Sequence, residues 1–432
     1  MQINKFNVTL SSSKCRTEFI EVSKATIIIV AFFVLLEQQF IFIMTLNVSN
    51  FDKWTRSGFV QMNTELEILY FAQENKANVL NIGEGIKLNL LNEGREFIIQ
   101  LLKEGNTDEG FDQGFDLLGN VGLYMAACRR HEIDEQPANK NLMNEASSLA
   151  LQLGAALGVT PRFATSHLTT HNKASNGQYK TFTSLEDELI FIDYNTRGIL
   201  AYKRAADALH RVMTLGASHP VAADLFKVAK DALNDVIAYN KTLFDKLDTD
   251  HFFYNVRPYY KPHRVGANIY RGANAGDFAG INVIDLSLGL CQADNASYAQ
   301  ILVDKFLYMM PQDQLILRDC MRQQSLMNSF MEALPTQKNT AWFQTNVKAF
   351  LEVCEAHGNA ATQHHNQLVE KYIKEPAVNL REENQTNLTA SGPPLPVLLF
   401  ALEKLRDQRT AALRTDIYTR YHDIQQLKDA IK

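Results

Sequence analysis

Two long stretches, Leu185–Leu215 and Val221–Leu247, limit what this chain can become. Both carry apolar side chains three and four residues apart along their length. That spacing gathers them on one face of a helix with 3.6 residues per turn. The pattern returns in shorter runs at Leu66–Phe71, Ile86–Leu102, Phe111–Arg129 and Asn141–Leu157. It returns again over Ser297–Met331, interrupted at Pro311, over Thr340–Ile373, and from about Leu395 to Ile431. Strand-like alternation is scarce, so the expected fold class is all-α. A smaller N-terminal helical part, 44–240, packs on a larger C-terminal one, 241–432. Turn-forming residues cluster at 133–140, 171–183, 255–276 and 375–394. Loops that long in a helical scaffold usually carry function.

Composition excludes several classes. The chain has 432 residues, 46% of them hydrophobic, which suffices for a large core. Charged residues are 21% and the net charge is −5, with no Lys/Arg-rich run, so no nucleic-acid partner is expected. The 5 cysteines (Cys15, Cys128, Cys291, Cys320, Cys354) are scattered, with no C-x-x-C. That fits a reducing, cytoplasmic setting and argues against a disulfide framework, a zinc ribbon or an iron–sulfur cluster. It also means that any haem is held without thioether bonds. Neither G-x-x-x-x-G-K-[ST] nor G-x-S-x-G occurs, and GANAG at 272–276 follows no strand, so it is not a dinucleotide fingerprint. At the N-terminus TIIIVAFFVLL (26–36) is followed by Glu37, Gln38 and Gln39 before FIFIM. A membrane helix needs ~20 mainly apolar residues, and this run is broken near its middle. Residues 1–43 read as an extension outside the working fold. Membrane contact follows only if 24–44 is a genuine anchor.

The stretch QHHNQLVEKYIKEPA (363–377) places two histidines side by side in a helix. Adjacent helical residues point about 100° apart, so at most one faces the core. Around His365 lie Leu368, Val369 and Tyr372 ahead, and Gly358, Ala361 and Thr362 behind. Around His364 lie Gln367 and Lys371. His365 is therefore the inward one, beside small residues that leave room for something flat. An inward imidazole either bonds a neighbouring carbonyl or binds a metal. His357 and His364 are separated by a rise of about 10.5 Å, too far to share one ion. A single histidine suffices where a macrocycle supplies the other ligands, as in haem.

Three other segments carry candidate chemistry. HLTTH pairs His167 and His171 at i, i+4, a spacing that can chelate a metal or line a pocket, without the Glu of H-E-x-x-H. YNVRPYYKPHRVGANIYRGANAGD (254–277) puts Arg257 before a proline, in an expected extended stretch. That arginine either ties down the loop or grips a carboxylate with its fork. NLTASGPP (387–394) is either a helix N-cap or a turn that offers hydroxyls and N–H groups to an anion.

Together these segments resemble a known superfamily. HNQLVEKYIKEPA, from His365, is similar to the proximal-histidine helix of indoleamine 2,3-dioxygenase, which has His, then Val-x-Lys-Tyr-Ile and Pro-Ala at the same offsets. Tryptophan 2,3-dioxygenase has a similar His-x-x-x-Val-Glu-Arg. RPYYKPHRVGANIYRGANA and TPRFATSHLTTHN, with Tyr179 and Thr181 following, more closely resemble the monodechloroaminopyrrolnitrin synthase (PrnB-like) family. The resemblance spans roughly 140–405. It implies an all-α, haem b-dependent oxygenase in which His365 is the axial ligand of the iron. Ala361 and Ser391 would lie against the cofactor. Arg257 would hold the substrate carboxylate, Thr389 would close over the substrate, and His167 and Thr169 would line the distal side. Ala390-Ser391 stands where the superfamily has Gly-Gly, and Pro393 and Pro394 stiffen the turn. The implied partners are O2, an electron donor, and tryptophan, a substituted tryptophan or a related aromatic amino acid. The implied outcome is dioxygenation or ring rearrangement. A non-catalytic haem sensor or carrier on the same scaffold is the rival reading, and an apo helical protein is the third.

Overall fold

A computed structural model describes residues 46–104, 110–133, 143–367 and 395–431. The expected extension 1–43, Thr389, Ser391 and the NLTASGPP turn lie outside these residues. The fold is all-α. Its helices are α1 (46–55), α2 (Gly58–Phe71), α3 (Glu84–Glu104), α4 (Phe111–Arg130), α5 (Asn144–Leu157), α6 (Glu186–Leu215) and α7 (Ala222–Lys246). They continue as α8 (Thr249–His251), α9 (Gly280–Leu288), α10 (Ala296–Phe306), α11 (Pro311–Arg322), α12 (Leu326–Gln337), α13 (Ala341–Gln363), α14 (Leu395–Arg409) and α15 (Tyr421–Asp429). The only sheet among the described residues is a hairpin of β1 (His263–Val265) and β2 (Asn268–Tyr270), turning at Gly266 with φ 59°. No helix among the described residues is long and apolar enough to cross a membrane.

The apolar residues form two main cores. One is built from α1–α5 together with the 243–273 segment, around Phe59, Leu117, Val121, Phe163, Phe182 and Tyr259. The other is built from α9–α15 and the facing halves of α6 and α7, around Leu209, Phe226, Ile284, Phe330, Phe350 and Leu427. α7 runs unbroken through residue 240, with Phe226 and Leu233 in the second core and Leu243 and Phe244 in the first. The two long helices are thus a shared spine. They are antiparallel, because Arg204 pairs with Asp235 and the Asp187 carboxylate near the start of α6 accepts from Asp248 N–H just past α7. α13 runs in the same sense as α7: Lys230 pairs with Glu352 at 2.8 Å and the Gln363 amide donates to the Ile237 carbonyl at 2.9 Å. A small cluster of Ala201, Val236 and Ala360 joins α6, α7 and α13.

α4 is buried along most of its length, and its glycines explain how. The 161–168 segment lies directly on it. A Cβ at Gly122 would sit 2.3 Å from the Phe163 backbone nitrogen, and one at Gly119 would sit 2.6 Å from the His167 ring. Backbone cannot swing aside as a side-chain tip can. Gly122→Ala is therefore expected to destabilise the protein by about 3 kcal/mol, read as a lower urea midpoint. An unchanged midpoint would show that the two segments separate without penalty.

Candidate functional site

The loop after α8 is where Arg257 sits. Phe252–Val256 forms a π-helical turn and Arg257–Tyr260 a 3-10 turn. Arg257 has φ −55° and ψ −36°, so the extended conformation expected before Pro258 is not adopted. The contacts that override the proline's preference come from α4. Arg129 donates to the Pro258 carbonyl, and Arg130 donates to the Tyr254 carbonyl at 2.9 Å. Arg130 also forks onto Glu67 at 2.8 and 2.9 Å, and Asn255 donates to the same carboxylate at 2.9 Å.

Most buried arginines here have a carboxylate. Arg130 has Glu67, Arg162 has Asp277, Arg56 has Asp52 and Arg420 has Asp423. Arg257 is 9% exposed and has no carboxylate partner among the described residues. Its guanidinium lies 5.4 Å from the Phe253 ring centroid. Burial alone pushes its pKa down to about 10, so it stays charged at neutral pH. Lys261, half-buried one helical turn on, is pushed down to about 8 by burial and then by Arg129, Arg130 and Arg257. A buried charge of this kind calls for an anion.

The HLTTH segment is a single 3-10 turn, Thr165–Leu168, followed by irregular turns. His167 is 2% exposed and both ring nitrogens are used. Nδ1 accepts from Ala164 N–H at 2.8 Å and Nε2 donates to the Phe115 carbonyl at 2.8 Å. The ring stacks on Phe115 at 3.9 Å. The Thr169 hydroxyl donates to the Thr165 carbonyl at 2.9 Å. His171 meets the Thr170 hydroxyl at 3.0 Å. No group of three or more metal-ligating side chains occurs among the described residues, so chelation by the HLTTH pair finds no support.

His167 and the fully buried His131 are both neutral. His131 donates from Nε2 to Asn63 at 2.7 Å and accepts from the Tyr70 hydroxyl at 3.0 Å. Burial lowers the pKa of His167 to about 3 and holds that of His131 well below 6.5. The sign follows: below about pH 6.5 the unfolded chain takes up protons that the fold refuses. Stability should be full above that pH and fall by about 1.4 kcal/mol per pH unit per histidine as the pH drops toward about 4. Urea titrations from pH 8 to 4.5 test this, and His131→Gln should flatten the slope. An equal slope in both proteins would contradict it.

The adjacent histidines lie at the end of α13. The helix continues past Gln363 in a π-helical turn over residues 364–367, a geometry frequent at functional sites. His365 is half-buried and His364 accessible. His364 is nonetheless enclosed by protein: burial, then the charges of Arg409, His365 and Lys305, lower its pKa to about 4. Ala361, one turn earlier, is half-buried.

Beneath this end of α13 is a network that sequence reading missed. Asp285 on α9 is fully buried and accepts from His357 Nε2 at 2.7 Å, from both arms of Arg409 at 2.9 and 2.7 Å, and from the Tyr298 hydroxyl at 2.8 Å. It ties together α9, α10, α13 and α14. The signal available in the sequence was His357, seven residues before His364 on the same helix.

Residues 45–431 match the family model described as monodechloroaminopyrrolnitrin synthase PrnB. The chain belongs to the PrnB family. PrnB is a family of haem-dependent, tryptophan-modifying oxygenases. The residues at the end of α13 fit such a cofactor. The Ala201–Val236–Ala360 cluster and the helix directions place His364 and His365 level with Gly198 on α6. Gly198 is buried, yet a Cβ built on it meets no heavy atom of the described residues within 4 Å. A buried glycine with no described neighbour where its Cβ would stand, level with an imidazole pair, fits a flat ring.

Proposed function

We propose that this protein is a haem b-dependent oxygenase acting on tryptophan, a substituted tryptophan or a related aromatic amino acid, with O2 and an external electron donor as partners. The observation that carries the substrate class is Arg257, a buried cation lacking a carboxylate among the described residues. His365 on the π-helical turn holds the iron through one ring nitrogen, with Ala361 packed beside the macrocycle. Haem bound there supplies the oxygen chemistry that side chains lack. His365 must be neutral to ligate. Arg257 grips the substrate carboxylate with its fork, which fixes the distance and tilt of the indole. The arginines of α4 hold the Arg257 turn in place. Phe253 keeps water from one face of the guanidinium. His167 and Thr169, their polar atoms bonded within the chain, position the 161–172 segment rather than touching substrate. Thr389 and Ser391 are proposed to lie over substrate and cofactor.

The test is a product screen. The haem-loaded protein, with ascorbate and methylene blue as reductant, is given L-tryptophan, 7-chlorotryptophan and tyrosine, and products are read by mass. A product carrying oxygen or a rearranged ring from an indole substrate supports the reading. Stable haem with no turnover of any of them would favour the sensor or carrier.

A further inference from the structure

A second region of excess positive charge lies near the His364–His365 end of α13. Arg162 and Arg271 both pair with Asp277, at 3.2 and 2.6 Å, and their guanidiniums cover the Tyr308 ring at 4.5 and 4.2 Å from its centroid. Asp277 also accepts from Asn274 N–H at 3.1 Å. Asp285 is filled by Arg409, His357 and Tyr298. Lys305 on α10 stands beside this loop, its ammonium 3.4 Å from where a Cβ on Gly276 would sit. It is half-buried, and its ammonium has no hydrogen-bond acceptor among the described residues. The Arg162 Nε is buried and lacks an acceptor as well. Among the described residues, four cations (Arg162, Arg271, Lys305, Arg409) thus face two carboxylates that are already saturated. Tyr202 joins this region to the end of α13: its ring lies 6.0 Å from that of Phe278, next to Asp277, and it packs against the Ala201–Val236–Ala360 cluster. The region therefore lies toward the His364–His365 end of α13, and among the described residues it is two negative charges short.

We infer that Lys305, backed by Arg271, binds the propionate edge of the haem, so that the two propionates point toward the 271–277 loop and α10. This rests on the haem reading above. Iron protoporphyrin IX carries two carboxylates on one edge, which matches the deficit in number and in kind. A charge-assisted bond from a partly desolvated ammonium holds a carboxylate more firmly than a neutral one does. The assignment fixes which way round the ring enters the pocket, and with it which ring edge meets the substrate.

The test is haem release from the holoprotein into excess apomyoglobin, for wild type, Lys305→Met and Lys305→Arg. Each is loaded either with haem or with its dimethyl ester, in which the propionates are uncharged. Lys305→Met should lose haem about tenfold faster than wild type, Lys305→Arg should stay near wild type, and the dimethyl ester should leave all three at the same rate. Equal rates for Lys305→Met and wild type with haem would overturn the inference while leaving the haem reading intact. Equal acceleration of the dimethyl ester would assign Lys305 a purely structural role and overturn it too. A wild-type protein that takes up no haem would bring down the haem reading itself.

Discussion

Arg257→Met is expected to yield a protein that melts higher than its parent and no longer binds tryptophan saturably. The two effects have one origin. Arg257 is 9% exposed, and among the described residues only the Phe253 ring at 5.4 Å offsets its buried charge. Replacing a poorly compensated buried ion by an apolar chain of similar length stabilises by about 1–3 kcal/mol. Because burial lowers the guanidinium pKa only to about 10, the penalty is present across neutral pH and disappears only above that value. The substrate sees the opposite. Losing a desolvated bidentate carboxylate contact costs about 3–5 kcal/mol, or roughly two to four orders of magnitude in kcat/KM. Tryptamine, which has no carboxylate, should bind both proteins alike. A lower Tm with unchanged tryptophan kinetics would make Arg257 a loop anchor instead.

The second large effect concerns Asp285. Burial pushes its carboxyl up, but the Arg409 guanidinium, followed by His357, holds it well below the usual carboxylate range. Its folded-state pKa is depressed from 3.8, so its contribution is present above that pH and is lost as the pH falls further. Asp285→Asn leaves Arg409 buried without its counter-charge and should destabilise by about 3–5 kcal/mol. Adding Arg409→Gln should recover part of this, because the stranded cation is the larger share of the loss. The network holds α13 two turns before His365, so the single variant should also release haem faster. Urea midpoints for both variants test the pairing. Equal loss in the single and double variants would mean that the ion pair itself contributes little.

Much of the fold was legible because long amphipathic helices announce themselves. Leu185–Leu215 and Val221–Leu247 correspond to α6 and α7 within one residue at each end. Less was legible where burial removes the contrast between faces. α9 is buried on all sides, Asn282, Asp285 and Ser287 included, so no apolar stripe marks it. Ser297–Met331 was expected to be interrupted at Pro311, but it is three helices. Pro311 opens α11, and the Ser325 side chain, accepting from Asn328 N–H, starts α12. The final stretch likewise breaks after Arg409, where Ala411 takes φ 46°. At the site, residue type singled out Arg257 and His365 as candidates. Sequence could not show the Asp285 network, because its partners lie 72 and 124 positions away. Nor could it show that α4 bends the Arg257 turn away from the extended form its proline favours.

The central claim is that His365, not His364, carries the haem iron. Absorption spectra of the haem-supplemented protein in ferric, ferrous and CO-bound forms, recorded beside His364→Ala and His365→Ala, test it most directly. The account predicts a histidine-ligated Soret band in wild type and His364→Ala, lost or shifted in His365→Ala. Haem that binds His365→Ala with the wild-type spectrum, or a wild type that binds none, would contradict it.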